Sequence, residues 1–169
     1  DPQWVAKARA GKPEAINTCI ACNQACLDHV FQRKTASCLV NPRACAETEL
    51  NYLPATTRRR IAVVGAGPAG LACATIAAQR GHEVVLFDRA DRIGGQFNLA
   101  CRIPGKEEFS ETLRWFSHRI GETGVHLRLS TEATPETLAG FEEIVLASGV
   151  NPRAVGFEGH DHPRVVGYQ

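Results

Sequence analysis

Residues 61–70 of the chain read IAVVGAGPAG, and this stretch decides the fold. The first four residues are apolar and mostly β-branched, which is typical of a buried strand, and the glycines that follow have the spacing G-x-G-x-x-G. In this motif the first glycine permits a tight turn, the second lets backbone amides approach a pyrophosphate, and the third lets a helix pack against the strand. An Ala-rich helical pattern follows at once, so the motif stands in the context that makes it specific.

Strand and helix patterns alternate after this motif. Apolar or alternating runs predict strands at 84–87, 125–130 and 144–147, the last of them buried, and helical spacing predicts a helix over 109–120. Gly81 and Gly124 are expected to end the two long helices, and Thr134 with Pro135 is expected to begin a short one. Strands separated by helices form parallel sheets with right-handed crossovers. The sequence therefore predicts an α/β fold with a parallel Rossmann-like FAD/NAD(P)-binding sheet.

Asp88 ends the second predicted strand about twenty residues after the glycine turn. A carboxylate there can accept hydrogen bonds from ribose hydroxyls and would repel a 2′-phosphate. The alternative is a tight turn with a strand-capping acid and no ligand. The predicted dinucleotide-binding residues in this part are Gly65, Ala66, Gly67, Pro68, Ala69, Gly70 and Asp88.

The loop after Asp88 favours FAD over NAD. Residues 89–96 read RADRIGGQ and resemble the acidic-then-Gly-Gly extension of flavoproteins with two dinucleotide-binding domains, while residues 147–149 resemble the strand-end motif of the same proteins. Taken alone, the two glycines could equally form a simple turn. The further predicted cofactor-binding residues are Arg89, Gly94, Gly95, Gln96, Ala147, Ser148 and Gly149.

Four of the seven cysteines, Cys19, Cys22, Cys26 and Cys38, fall within the first forty residues. Iron-sulfur clusters are held by four thiolates, commonly with several close together and one remote, whereas structural zinc more often uses two separated Cys-x-x-Cys pairs. The spacing favours a [4Fe-4S] cluster over zinc, with four unrelated thiols as the third alternative. Cys45, Cys73 and Cys101 have no such grouping, and the position of Cys73 in the Ala-rich helix indicates a small core residue.

The chain divides near residue 57. Residues 1–57 lack long periodic apolar segments, so we expect a small irregular or helical cysteine-rich segment that depends on its cluster for structure. Residues 58–169 are expected to form the first half of the FAD-binding domain, and residues 51–57 are expected to be a linker.

Composition excludes several classes of protein. The net charge is +1 and the longest basic run is residues 58–60, so we expect no nucleic-acid binding. The longest apolar stretch is broken by glycines and a proline and no leader opens the sequence, so we expect no membrane association. Clustered cysteines without a leader indicate a cytoplasmic protein.

These motifs together resemble a family, the iron-sulfur flavoenzymes related to old yellow enzyme, and within it the group of bacterial 2,4-dienoyl-CoA reductases. The resemblance covers nearly the whole chain and is carried by residues 16–28, 37–45, 63–71, 94–98 and 103–109. The spacer of three residues between Cys22 and Cys26 favours that group, because related trimethylamine and histamine dehydrogenases have a shorter one.

The resemblance implies a longer enzyme with an FMN-binding barrel, the cluster, and a part that binds FAD and NADPH. Residues 1–15 look like the last helix and exit of the barrel, and no second G-x-G-x-x-G follows, so we expect the NADPH half to lie elsewhere in the polypeptide. Electrons would pass from NADPH through FAD and the cluster to FMN, which would reduce an unsaturated acyl-CoA. The partners would be the rest of the polypeptide and that substrate. No catalytic residue can be assigned in this chain.

Two alternatives remain open at this point. The same architecture serves trimethylamine or histamine dehydrogenases and other enoate reductases. A non-enzymatic alternative is a nucleotide-binding module in which zinc held by the four cysteines stabilises the fold.

Overall fold

The structure is a computed structural model that describes residues 1–151, 153 and 156–166. Parts of the predicted second domain, residues 152, 154–155 and 167–169, lie outside the described residues. The elements in chain order are helix α1 Trp4–Arg9, a short 3-10 turn Pro13–Ala15, α2 Leu27–Phe31, strand β1 Arg60–Val64, α3 Pro68–Gln79, β2 Glu83–Phe87, α4 Phe97–Ala100, α5 Phe109–Thr123, β3 His126–Arg128, α6 Pro135–Leu138 and β4 Glu143–Leu146.

The four strands form one parallel sheet in the order β3-β2-β1-β4. Ile61 of β1 is paired with Val84 of β2 on one side and with Glu143 of β4 on the other. The predicted α/β class and the parallel arrangement are confirmed, and β1 occupies a central position. Because all strands run in the same direction, the loops that follow them gather at one edge of the sheet.

Helices α3 and α5 cover one face of the sheet and form the main core with it. Val63 and Leu86 from the strands, Leu71 from α3 and Phe116 from α5 belong to one buried cluster. These side chains lie on alternate strand positions or on one helical stripe, as the sequence periodicity predicts. The amphipathic helix is α5, and Trp115 packs at the margin of its buried stripe.

Both long helices end where the glycines predict. Gly124 has φ 73°, in the left-handed region, and its N–H donates to the carbonyl of Ile120 at 3.1 Å. Gly81, with φ 100°, follows α3 in the same way. The predicted start of α6 is also confirmed, because Thr134 and Thr137 form a reciprocal capping box.

The prediction that residues 144–147 form a buried strand is wrong in one respect. β4 is an edge strand, and its side chains Ile144 and Leu146 are 48% and 74% exposed. Val145 and Ala147 pack toward α3 and α5, whereas in the described part of the chain the opposite face of the sheet is covered by residues 133–141, which lie against Phe87 and its neighbours. The strand alternates between a covered and an open face, which a continuous apolar run does not reveal.

The cysteine-rich segment has little core of its own, as predicted. Its buried apolar residues are Ala15, Ile20 and Ala25, and the linker at 51–57 contains no helix or strand. Over residues 1–151, 153 and 156–166, none of the helices has the length and apolar character needed to cross a membrane.

Candidate functional site

The glycine turn joins β1 to α3, and each of its three glycines occupies a different environment. A Cβ at Gly65 would lie 2.3 Å from the carbonyl oxygen of Ala147, and a Cβ at Gly70 would lie 1.8 Å from the carbonyl oxygen of Gly65. No atom lies within 4 Å of the corresponding position at Gly67. The first and third glycines are therefore needed for packing, while the second leaves open space in front of the N-terminus of α3, where a phosphate would be stabilised.

A cleft of about 330 Å³ opens at the carboxyl edge of the sheet, beside this turn. Five predicted site residues line it: Gly65, Asp88, Arg89, Ser148 and Gly149. The remaining lining residues are Val64, Phe87, Thr131, Glu132, Ala133, Val150 and Asn151. The cleft thus lies at the strand ends, where open α/β sheets bind their ligands.

Hydrogen bonds from backbone N–H groups to the carboxylate hold the Asp88 side chain in place. Its Oδ2 accepts from the N–H of Ala66 at 2.6 Å, and its Oδ1 accepts from the N–H of Ala90 at 2.8 Å. The Asp88 carbonyl also accepts from the N–H of Thr131 at 2.9 Å. A carboxylate has about four acceptor positions, so both oxygens remain able to accept from a ligand hydroxyl.

The loop at residues 89–96, which contains Gly94 and Gly95 and is called the Gly-Gly loop below, crosses in front of the glycine turn. The N–H of Gly94 donates to the carbonyl of Ala66 at 2.7 Å, and a Cβ at Gly95 would lie 3.4 Å from Cα of Gly67. The amide of Gln96 donates to the carbonyl of Val150 at 2.7 Å. This loop therefore connects the glycine turn with the segment that follows β4.

Four further predicted residues do not line the cleft. Ala66 is fully buried under the Gly-Gly loop, and the carbonyl of Ala147 faces Gly65. Pro68 is the first residue of α3, where its missing N–H costs no helical hydrogen bond. Ala69 follows it in the exposed first turn of the helix.

Sequence reasoning missed the cleft residues that follow β3 and β4. Thr131, Glu132 and Ala133 come after β3, and Val150 and Asn151 come after β4. These residues could have been predicted from their positions directly after strands, because every segment that follows a parallel strand reaches the same edge of the sheet.

The cysteine-rich segment folds back on itself through two long-range hydrogen bonds. The amide of Asn17 donates to the carbonyl of Val40 at 2.6 Å, and the N–H of Ser37 donates to the carbonyl of Ala25 at 2.7 Å. These bonds connect the backbone on either side of Cys38 to positions close to Cys19 and Cys26 in the sequence. The segments that carry the first, third and fourth cysteines are thereby joined.

The loop from Cys19 to Cys26 has a strained backbone. Ala21 and Asn23 have φ of 52° and 57°, although neither is glycine. The N–H of Ala21 points to Sγ of Cys19 at 3.4 Å, the kind of N–H to sulfur contact that tunes iron-sulfur clusters. Each such residue costs about 1–3 kcal/mol, so the surrounding structure must hold the loop in this shape.

The four thiols match an iron-sulfur cluster in donor chemistry. Within residues 1–151, 153 and 156–166, no three Cys, His, Asp or Glu side chains are arranged so that they could hold a metal ion. All seven cysteines are free thiols, with Cys19 and Cys26 exposed and Cys22 and Cys38 half-buried. Their assignment as ligands stays a prediction.

Two of the remaining cysteines have a thiol pKa above the usual value. Burial raises the pKa of the Cys73 thiol, and burial also raises the pKa of Cys101, partly offset by a backbone hydrogen bond. A raised pKa favours the protonated thiol, which is not the ligating form. Cys73 packs beside the main core, in agreement with the predicted structural role.

We expect Asp88→Asn to weaken nucleotide binding about tenfold or more. The side-chain NH₂ of the asparagine would face a backbone N–H, so two hydrogen-bond donors would meet where a carboxylate oxygen now accepts. The loss of charge-assisted hydrogen bonds should also lower the free energy of unfolding by about 1.5–3 kcal/mol. Flavin titration of the apoprotein and urea unfolding measure the two effects. Asp91→Asn is the matched control, because the Asp91 side chain is exposed and is hydrogen-bonded to its neighbour Arg92. Equal behaviour of the two variants would contradict the role given to Asp88.

Comparison with known proteins agrees with this geometry. Residues 63–131 match the family model described as NAD(P)-binding Rossmann-like domain. A metal reductase of Desulforamulus reducens is 42% identical over 158 residues, which cover 90% of this chain and 24% of that protein.

Two solved structures are also similar to this chain. One is a 2-naphthoyl-CoA reductase in complex with 2-naphthoyl-CoA, with a TM-score of 0.91 and 38% identity over 96% of this chain and 25% of that one. The other is histamine dehydrogenase from Rhizobium sp. 4-9, with a TM-score of 0.82 and 27% identity over 91% of this chain and 23% of that one.

The parallel sheet, the glycine turn and the cleft define an NAD(P)-binding Rossmann-like domain preceded by a cysteine-rich segment. The chain spans about a quarter of the length of the curated relatives it matches. Its homologues are oxidoreductases, named as reductases and dehydrogenases.

Proposed function

We propose that this chain is the electron-transfer part of an NAD(P)H-dependent flavin oxidoreductase resembling 2,4-dienoyl-CoA reductase, in which electrons pass from NADPH by way of FAD and a [4Fe-4S] cluster to FMN for reduction of an unsaturated acyl-CoA. The observation that carries this proposal is the joining of a four-cysteine segment to a domain with a dinucleotide cleft. A flavin converts two-electron chemistry into one-electron chemistry, so a one-electron carrier beside it is chemically useful.

The residues of the chain have separate tasks in this proposal. The amides of the glycine turn and the N-terminus of α3 would bind the pyrophosphate, and Asp88 would accept from the ribose hydroxyls. Gly94 and Gly95 would leave space for the flavin portion beyond the pyrophosphate. Cys19, Cys22, Cys26 and Cys38 would hold the cluster, which supplies reversible one-electron transfer when bound.

The acyl-CoA substrate is supported by the similarity to 2-naphthoyl-CoA reductase, which is higher in identity than the similarity to histamine dehydrogenase. We propose that FMN, the NADPH site and the catalytic residues belong to the rest of the polypeptide, and that this remainder is the main partner of the chain. We also propose a cytoplasmic location, where thiolate ligands stay reduced.

Three measurements on the anaerobically purified full-length protein test the proposal. We expect iron and sulfide in cluster stoichiometry, an electron paramagnetic resonance signal after reduction, and FAD released on denaturation. We also expect NADPH oxidation to depend on a dienoyl-CoA or other unsaturated acyl-CoA. A colourless protein with stoichiometric zinc would overturn the cofactor assignment, and turnover of amines alone would overturn the substrate class in favour of an amine dehydrogenase.

A further inference from the structure

Helix α5 contacts both halves of the chain through three consecutive residues. Leu113 lies against the Gly-Gly loop, since a Cβ at Gly94 would lie 3.0 Å from Cδ1 of Leu113. The next two residues, Arg114 and Trp115, contact the segment that leads into the cysteine loop. One rigid element thus connects the nucleotide domain with the segment that carries the predicted cluster ligands.

Arg114 binds this segment with both terminal nitrogens of its guanidinium group. Its Nη1 donates to the carbonyl of Glu14 at 2.8 Å, and its Nη2 donates to the carbonyl of Ile16 at 2.9 Å. The same Nη2 lies 3.5 Å from Oγ1 of Thr18, the residue before Cys19. Nε donates to Oε2 of Glu111 at 2.7 Å, which fixes the orientation of the planar group.

Trp115 adds a second connection between the same two segments. Its indole Nε1 donates to the carbonyl of Ala15 at 3.2 Å, and its ring lies 4.8 Å from the ring of Phe116. Ala15 is 6% exposed, so this hydrogen bond is made to a buried residue. Arg114 and Trp115 therefore bind three successive carbonyls, those of residues 14, 15 and 16.

The other side of α5 is held firmly by the nucleotide domain. Phe116 lies in the main core with Leu71 of α3, the helix that begins at the glycine turn. Arg119 donates to Oε1 of Gln79 near the end of α3 at 2.9 Å. Helix α5 thus fixes the position of the cysteine segment relative to α3, the helix that begins at the proposed pyrophosphate site.

We infer that Arg114 and Trp115 are positioning residues that set the separation and orientation of the cysteine segment relative to the nucleotide cleft. This inference rests on the proposed function, because the separation matters only if electrons pass between groups held at the two places. Neither residue is within reach of the cleft or is a predicted ligand, so their loss should alter the geometry between the sites and leave each site occupied.

The test uses the full-length protein and three variants. Arg114→Gln removes the charged fork, Arg114→Lys keeps the charge but cannot bridge two carbonyls in a plane, and Trp115→Phe keeps the aromatic packing but loses the N–H donor. Arg102→Gln is the control for loss of an exposed arginine outside α5. The iron content, the FAD content and the unfolding temperature are measured first. The next two measurements are the dipolar coupling between the flavin radical and the reduced cluster, and the single-turnover rate at which NADPH reduces the cluster.

We expect Arg114→Gln to retain iron and FAD and to broaden the distribution of dipolar couplings between the flavin radical and the reduced cluster. It should also slow cluster reduction about 10- to 100-fold, since small misplacements of reacting groups have effects of that size. Arg114→Lys and Trp115→Phe should fall between Arg114→Gln and the wild type, and Arg102→Gln should match the wild type. Unchanged coupling and rate in Arg114→Gln and Trp115→Phe, with both cofactors present, would overturn the inference alone. A wild-type protein with neither cluster nor FAD would overturn the proposed function instead.

If Arg114→Gln loses its cluster, the Arg114→Lys and Trp115→Phe variants decide the matter, because they preserve most of the packing. Loss of cluster in all three variants would mean that these residues stabilise the segment itself, and it would overturn the assignment of a positioning role.

Discussion

Gly70→Ala is expected to lower the free energy of unfolding by about 3 kcal/mol and to abolish measurable FAD binding. The added methyl group would lie 1.8 Å from the carbonyl oxygen of Gly65 and 3.0 Å from its carbonyl carbon. Both are backbone atoms of the same tight turn, so relief requires α3 to move away from β1. That movement would separate the helix N-terminus from the amides that we propose bind the pyrophosphate. Urea unfolding and flavin titration of the full-length protein measure the two effects.

Two other Gly→Ala variants serve as controls for this result. At Gly121, inside α5, a Cβ meets no atom within 4 Å, so the substitution should stabilise the protein by about 0.5–1 kcal/mol through helix propensity. At Gly67 the space is also open and φ is −74°, so folding should be unaffected while FAD binding falls. A Gly70→Ala protein that unfolds like Gly121→Ala would contradict the packing role of the third glycine.

Cys38→Ala is expected to reduce the iron content from about four atoms per protein to less than one, and to remove the visible absorption of the cluster. Cys38 is the remote member of the predicted ligand set, and the hydrogen bond from Ser37 to Ala25 joins its segment to the loop of the other three. A cluster with one thiolate missing is expected to be lost during purification. Metal analysis and electron paramagnetic resonance of anaerobically prepared protein give the readout.

Cys73→Ala is the matched control for this prediction. Its thiol packs beside the main core, and burial raises its pKa, so it should contribute no ligand. The variant should keep its iron. In Cys38→Ala the parallel sheet should remain folded, because its core contains no residue of the cysteine segment. Full iron content in Cys38→Ala, or loss of iron in Cys73→Ala, would show that the ligand set is assigned wrongly.

The features that sequence predicts correctly depend on short-range chemistry. The glycine turn, the stop of α5 at Gly124 and the cap at Thr134 each follow from residues within a few positions of one another. The parallel direction of the strands follows from the alternation of strand and helix patterns along the chain. These predictions need no knowledge of which distant residues meet.

The features that sequence reasoning missed depend on contacts between distant segments. Ile144 and Leu146 have the composition of buried strand residues, but they lie on the second face of the sheet, where the described residues form only a short cover. Thr131 and Asn151 join the cleft because β3 and β4 lie on opposite sides of the central pair. Arg114 reaches Ile16 across 98 positions of sequence, which no local pattern records.

The three consecutive contacts of α5 restrict how the chain can change in length during evolution. A single inserted residue between Leu113 and Arg114 would rotate everything after it by about 100° around the helix axis. Arg114 and Trp115 would then point away from the carbonyls they bind, even if every other side chain were kept. Insertions and deletions among homologues should accordingly collect in the stretches at 101–108 and 129–134, on either side of this helix, and spare the helix itself.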